Sequence, residues 1–238
     1  MKGLIVAAGQ GTRLREKGEQ KPLIPIRGVP LIERVIATLA QAGLEEIVVV
    51  TGYRAEALTP RLREIGQKHA VTIIPAYNPA WQRANGVSVS AARQFIEGEF
   101  LLTMCDHLVE PDLISDLLAA PVEPGTVTLA IDRQIDRPLN DPEDVTRVKF
   151  EGNHLRAIGK VIRDFNGFDT GVFRCSPVMF EALAESQARG DDSISGGMTV
   201  LAEWDKARVF DIGSRLWLDV DDPLAFGKAE QLLATGKL

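Results

Sequence analysis

The chain has 238 residues, 45% of them hydrophobic and 25% charged, with a formal charge of -6. That profile fits one α/β domain or two small ones with a core that needs no staples. Lys and Arg number 27 against 33 Asp and Glu, which excludes the cationic excess that non-specific nucleic-acid binding requires. The two cysteines lack CxxC spacing, which argues for a reducing compartment and against a zinc site.

Continuous apolar runs at Leu4–Ala8, Ile47–Thr51, Val71–Ile74 and Phe100–Met104 read as strands buried on both faces of a parallel sheet. Helical periodicity falls between them. Leu31–Ala42 places Leu31, Val35, Ile36 and Leu39 on one stripe with Gly43 as the C′ residue, and Ala57–Lys68, Val87–Phe95 and Asp112–Ala119 follow. The alternation implies a parallel sheet covered on both faces, with right-handed crossovers, and the fold class expected for the whole chain is α/β, a Rossmann-like, mixed and mostly parallel sheet in a three-layer sandwich. After Thr126–Ile131 the polar stretch Arg133–Asp144 reads as a loop or flap. Thr146–Glu151 and His154–Ile158 read as a hairpin through Gly152-Asn153. Ser176-Pro177 and Asp222-Pro223 each look like an N-cap followed by Pro at the first helical position. One domain over 1–238 is expected, with residues 133–238 completing the sheet begun by 1–132 rather than forming a second domain. The short apolar stretch near Met1 is too soon charged for a secretory signal, and no run nears the roughly 18 residues of a membrane helix. The expectation is a cytoplasmic protein that is not membrane-embedded; a homo-oligomer is left open.

The segment Ala7-Ala8-Gly9-Gln10-Gly11-Thr12-Arg13-Leu14 follows the first strand. A dinucleotide fingerprint needs a third glycine where Leu14 stands, and a Walker A loop needs Gly-Lys-Ser/Thr where this chain has Gly11-Thr12-Arg13. What remains is a turn of small residues in which successive N–H groups can form an anion nest, with Arg13 and Lys21 as fixed cations. The alternative is an ordinary strand end beside solvated charges.

The Gly-x-Gly-Thr-Arg-Leu…Lys-Pro-Leu pattern at the N-terminus resembles the sugar-phosphate nucleotidyltransferases, and the resemblance extends along the chain. Residues 77–93 (YNPAWQRANGVSVSAAR) look like that family's base-contacting segment, and 101–107 (LLTMCDH) like the strand ending in its metal-binding aspartate. Residues 158–160 (IGK) and 165–173 (FNGFDTGVF) look like its acceptor segments, and 217–223 (WLDVDDP) like its second metal-binding region. The combination is most similar to inositol-1-phosphate cytidylyltransferases. It implies an enzyme joining CTP to a phosphorylated polyol to give a CDP-polyol and pyrophosphate, with Mg²⁺ as cofactor and small molecules as its partners. On that resemblance Ala7, Ala8, Gly9, Gly11, Thr12, Asn85 and Gly86 would bind the nucleotide. Lys160, Asp169 and Thr170 would bind the acceptor. Asp106 with Asp221 or Asp219 would hold the metal; 219 and 221 share one side of a strand, so either could face it, and the resemblance leaves Asp221 preferred.

The chemistry is consistent with the residues. A phosphomonoester is mostly ionised at neutral pH, so it attacks without deprotonation, and the reaction needs alignment and charge neutralisation rather than a nucleophile–base pair. His69, His107 and His154 are scattered, and no such pair is evident. Trp81, Trp204 and Trp217 read as packing residues, and Cys105 as strand filler. Phosphocholine, an aminoalkyl phosphonate or a sugar 1-phosphate are alternative acceptors. A nucleotide sensor on the same fold and an NAD-dependent enzyme are the competing classes, the last disfavoured by the missing glycine and ribose acid.

Overall fold

A computed structural model describes residues 1–136 and 139–238; Arg137 and Pro138, inside the expected flap, lie outside the described residues. The elements in chain order are β1 (Lys2–Val6), β2 (Pro25–Ile26), β3 (Val29–Pro30), α1 (Leu31–Gln41), β4 (Glu46–Thr51), α2 (Ala55–His69), β5 (Thr72–Tyr77), α3 (Asn85–Ala91), β6 (Phe100–Met104), β7 (His107–Val109) and α4 (Pro111–Ala119). They continue with β8 (Val127–Asp132), β9 (Arg147–Glu151), β10 (His154–Gly159), β11 (Gly167–Cys175), α5 (Val178–Ala188), α6 (Ile194–Glu203), β12 (Ala207–Asp211), β13 (Trp217–Asp219) and α7 (Pro223–Ala234).

Among the described residues one large sheet runs β5-β4-β1-β6-β11-β8-β12-β10-β9. The first four strands are parallel, β11 lies antiparallel between β6 and β8, and β12 is parallel to β8. The sheet is therefore mixed, with β11 and β10 running against the other strands. Alternation along β1 splits the core between its faces. Ile5 and Ala7 join one apolar cluster with side chains of α1, α2, α4 and α7, whereas Leu4, Val6 and Ala8 join another with α3, α5 and α6. The helical layers expected on both faces are present.

Local expectations meet different outcomes. Gly43 takes the left-handed conformation (φ +85) after α1, and Gly152 (φ +59) turns the β9–β10 hairpin. Asp222 caps α7, its Oδ1 accepting from Ala225 N at 2.8 Å. Ser176 does not cap α5: its hydroxyl is buried without a hydrogen-bond partner among the described residues, and the helix begins from the backbone at Pro177. The helix expected over 87–95 is cut at Ala91, the chain tightening into a 3-10 turn at Arg93–Phe95. Asn140 lies against β13, donating to Trp217 O and accepting from Asp219 N, both at 3.1 Å. The polar stretch after β8 is thereby tied to the second acidic region.

Candidate active site

The strand ends of β1, β6 and β11 open into a cavity of about 410 Å³. This is the carboxyl side of the parallel strands, where open α/β sheets bind ligands. Ala7, Gly9, Gly11 and Lys21 line it from the N-terminal loop. Gly11 is left-handed (φ +63), and a Cβ there would overlap the Lys21 side chain, so glycine is required twice over. Gly9 has open space where a Cβ would point, which leaves its backbone accessible to a ligand. Leu14, 1% exposed, pins the loop into the core. Ala8 faces the other side of the sheet, where its carbonyl accepts from Tyr53 N at 2.9 Å, and Thr12 lies exposed on the loop without lining the cavity.

Lys21 is buried and ion-paired with Asp106, which stands just past the end of β6. Burial pulls the ammonium pKa down, but the Asp106 and Asp219 carboxylates outweigh it and hold the group at about 12. Burial would likewise raise Asp106, yet Lys21 and His107 take its pKa far below the usual carboxylate range. His107, absent from the expected set, binds Asp106 Oδ1 through Nδ1 at 2.8 Å. It is pressed beneath Gly171, whose left-handed φ of +72 and missing Cβ make room for the ring. The β7–β13 ladder pairs His107 directly with Asp219, bringing Nδ1 within 3.8 Å of Asp219 Oδ1.

Asp106, His107 and Asp219 each place a ligand atom within 4.8 Å of the others. Asp219 Oδ1 is buried with no hydrogen-bond partner among the described residues, and burial raises the carboxyl pKa to about 6. An orphaned carboxylate oxygen beside a second carboxylate fits a hard divalent cation, for which oxygen donors suit better than imidazole. The cluster takes in Asp219 rather than the expected Asp221. The strand alternation that would align the two ends at Asp219, and past buried Val220 the Asp221 carboxylate pairs with Arg13 Nη2 at 2.9 Å.

Desolvation lowers the imidazole pKa, but Asp219 and Asp106 override it and raise His107 to about 9. With an unfolded value near 6.5, the folded state favours the protonated ring. That stabilisation is complete below about pH 6.5 and is lost as pH rises through about 9. The melting temperature in chelator is therefore expected to fall by several degrees between pH 6.5 and 9, on the order of 1–3 kcal/mol. His107→Gln should flatten this slope; an unchanged slope in that variant would place the titrating group elsewhere.

Arg13 does not itself line the cavity; it is half-exposed and paired with both Asp144, which does, and Asp221. Asp144, which the sequence did not single out, also binds Lys160 at the cavity edge. Its hydrogen bonds from Lys160 and then Arg13 lower its carboxyl pKa to about 2. Asp169 lines the cavity, but its Oδ1 accepts from Gly171 N at 2.7 Å, fixing the turn beside His107. Burial raises its pKa to about 6.

Two further expected ligand residues are not among those lining the cavity. Thr170 is 0% exposed and its hydroxyl donates to Ala130 O at 2.8 Å, so its side chain ties β11 to β8. Gly86 is a packing residue: a Cβ there would strike Asp192 O and Leu183 where α3 meets α5 and α6. Asn85 does line the cavity, its Oδ1 accepting from Ile194 N at 2.9 Å while its amide NH₂ has no partner among the described residues. Trp217 is buried with Nε1 donating to Asp132 Oδ2 at 2.9 Å, as a packing residue, whereas Trp81 packs edge-on against Tyr53 at the cavity wall.

Residues 3–204 match the family model of the MobA-like NTP transferase domain. The chain is 35% identical over 234 residues to the bifunctional IPC transferase and DIPP synthase of Rubrobacter xylanophilus, covering 96% of this chain and 51% of that protein. It is 29% identical to the CMP-5'-(3-aminopropyl)phosphonate synthase of Streptomyces rubellomurinus, covering 94% and 37%. The chain spans about half the length of the first of these relatives. The structure of the inositol-1-phosphate CTP transferase from T. maritima superposes with a TM-score of 0.88 at 26% identity, covering 98% of this chain and 94% of that one. A UDP-glucose pyrophosphorylase shares the fold, with a TM-score of 0.79 at 16% identity. With residues 3–204 of 238 matched, the chain belongs to the family of MobA-like NTP transferase domains.

Proposed function

We propose that this domain transfers CMP from CTP to the phosphate of inositol 1-phosphate, releasing pyrophosphate. The observation that carries the reading is the convergence on one cavity of an open glycine loop, a buried lysine, two carboxylates from distant strands and Lys160. The choice of cytosine and inositol is supported by the likeness to the T. maritima inositol-1-phosphate CTP transferase and to the Rubrobacter relative.

In this mechanism an oxygen of the acceptor phosphate attacks the α-phosphorus. The bond from that phosphorus to the bridging oxygen breaks, and its electron pair leaves with pyrophosphate. The loop amides at Gly9 and Gly11 hold the triphosphate, Lys160 holds the acceptor phosphate, and Lys21 stands where negative charge gathers. No base is needed, because the acceptor phosphate is already ionised, and His107 serves to hold Asp106 through Nδ1. Asp106 and Asp219 would hold Mg²⁺, which when bound supplies neutralisation of the triphosphate oxygens. Asp169 offers its remaining oxygen to an acceptor hydroxyl, and Asn85 its NH₂ to the base. Among the described residues no helix is long and apolar enough to cross a membrane, and a cytoplasmic location agrees with that.

The test is pyrophosphate release over four nucleoside triphosphates and a panel of inositol 1-phosphate, phosphocholine, 3-aminopropylphosphonate and glucose 1-phosphate, with and without Mg²⁺. CTP with inositol 1-phosphate should exceed every other pair by at least about tenfold, the discrimination one well-made polar contact gives. CTP binding without release on any acceptor would favour a sensor. Within the same assay Asp219→Asn is expected to lose about a hundredfold or more in turnover, and Asp221→Asn less than about tenfold. The reverse order would return the metal to Asp221.

A further inference from the structure

Asp144 stands in both anion-binding places at once. One carboxylate oxygen is hydrogen-bonded by Arg13, which belongs to the nucleotide loop, and the other by Lys160 at the acceptor side. Arg13 is held by Asp221 as well. Lys160 has no other charged partner among the described residues, so Asp144 alone neutralises the lysine assigned to the acceptor phosphate.

We propose that Asp144 is an internal stand-in for phosphate, occupying Arg13 and Lys160 until the substrates displace it, so that this one side chain sets the affinity for both. The inference rests on the assignment of Lys160 to the acceptor phosphate made above, and it extends the triphosphate grip of the glycine loop to Arg13, the cation fixed on that loop. Three observations carry it. A bidentate carboxylate between two cations presents the same acceptor pattern as two oxygens of a phosphate. Both cations are more than half exposed and Asp144 is 34% exposed, so the bridge is weak enough to yield to a polyanion. Asp144 belongs to the polar stretch between β8 and β9, held locally by Asp144 N and Val145 N donating to Asp141 O rather than by a strand ladder. Its displacement therefore needs no sheet to break.

The consequence is measurable without knowing the base or the polyol. A cation masked for most of the time binds its ligand more weakly in proportion to the unmasked fraction. Calorimetry with inorganic pyrophosphate and with inorganic phosphate, in wild type and Asp144→Asn, reads this directly. Asparagine keeps the shape and removes the charge, so both dissociation constants should fall by about threefold to tenfold, less at high salt. Asp144→Glu, which keeps the carboxylate, should return both towards wild type. Asp144→Ala provides the same reading should asparagine still bridge the cations. The gain for pyrophosphate should disappear in an Arg13→Met background, and that for phosphate in Lys160→Met. Asp164→Asn, which removes a carboxylate from Lys149 instead, should leave both constants within about twofold, consistent with a surface pair.

Weaker or unchanged binding in both Asp144→Asn and Asp144→Ala would show that Asp144 orients the cations for substrate and would overturn the proposal. A gain for one anion alone would overturn the shared stand-in. Neither result depends on whether CTP and inositol 1-phosphate are turned over, so failure of the substrate assignment is read separately in the turnover assay.

Discussion

Asp106→Asn is expected to reduce pyrophosphate release by about a thousandfold, the equivalent of roughly 4 kcal/mol of transition-state stabilisation. Asp106 has three partners: the buried Lys21 ammonium, the His107 ring and, with Asp219, the position suited to a divalent ion. Asparagine preserves the size and one acceptor oxygen but removes the charge that makes the carboxylate a cation ligand. The variant should also lose stability, because Lys21 is left buried beside a neutral group. Removing one member of a buried pair costs up to about 3–5 kcal/mol, reduced here by the nearby Asp219 carboxylate. Calorimetric titration with Mn²⁺ and a melting curve separate the two effects. A folded variant with weakened ion binding and collapsed turnover is expected; turnover within tenfold of wild type would remove Asp106 from the mechanism.

Lys21→Met gives the second large effect, and its pattern differs. Methionine fills the buried stem and deletes the ammonium, so turnover should fall by about a hundredfold to a thousandfold, comparable with loss of a charge-stabilising donor. Divalent-ion affinity should hold or rise, since Lys21 and the ion share Asp106 as counter-charge. Stability should drop as Asp106 loses the cation that most lowers its pKa. The double variant Lys21→Met, Asp106→Asn should then recover much of the stability lost by either single change while remaining inactive. Strict additivity in stability would mean that the two groups do not depend on one another in the fold.

The sequence made the scaffold legible where physics is local. Leu4–Ala8 is apolar throughout, and Phe100–Met104 is apolar but for Thr103, because both faces of β1 and β6 are covered, and Asp222-Pro223 caps α7 because its hydrogen bond spans three residues. Asp106 was readable as an acid at the end of a buried strand. What escaped depends on contacts between distant segments. Asp219 could be separated from Asp221 only by knowing that the ladder with β7 stops there. His107 turns inwards because Gly171, from another strand, makes room for it. Asp144 looks like any acid in a polar loop until Arg13 and Lys160 arrive from either side of it. The departures at Thr170 and Gly86 have the same origin: a hydroxyl and a glycine serve packing as readily as binding, and only the Ala130 carbonyl and the α5–α6 surface decide.

The placement of β11 between β6 and β8 has a consequence for how the molecule is made. Until residues 167–175 are in place, β6 and β8 each present a bare edge, the kind of surface that invites pairing between chains. The pairings of β11 with β6 and with β8 join segments far apart in sequence, and those of β12 with β8 and β13 with β7 span still more of the chain, contacts of the kind that form slowly. Gly171 arrives with β11, and with it the room for His107. A chain lacking residues 167–175 or 217–219 therefore carries Asp106 without Gly171 or without Asp219, and the site is expected to form only when both segments have reached the ends of the sheet.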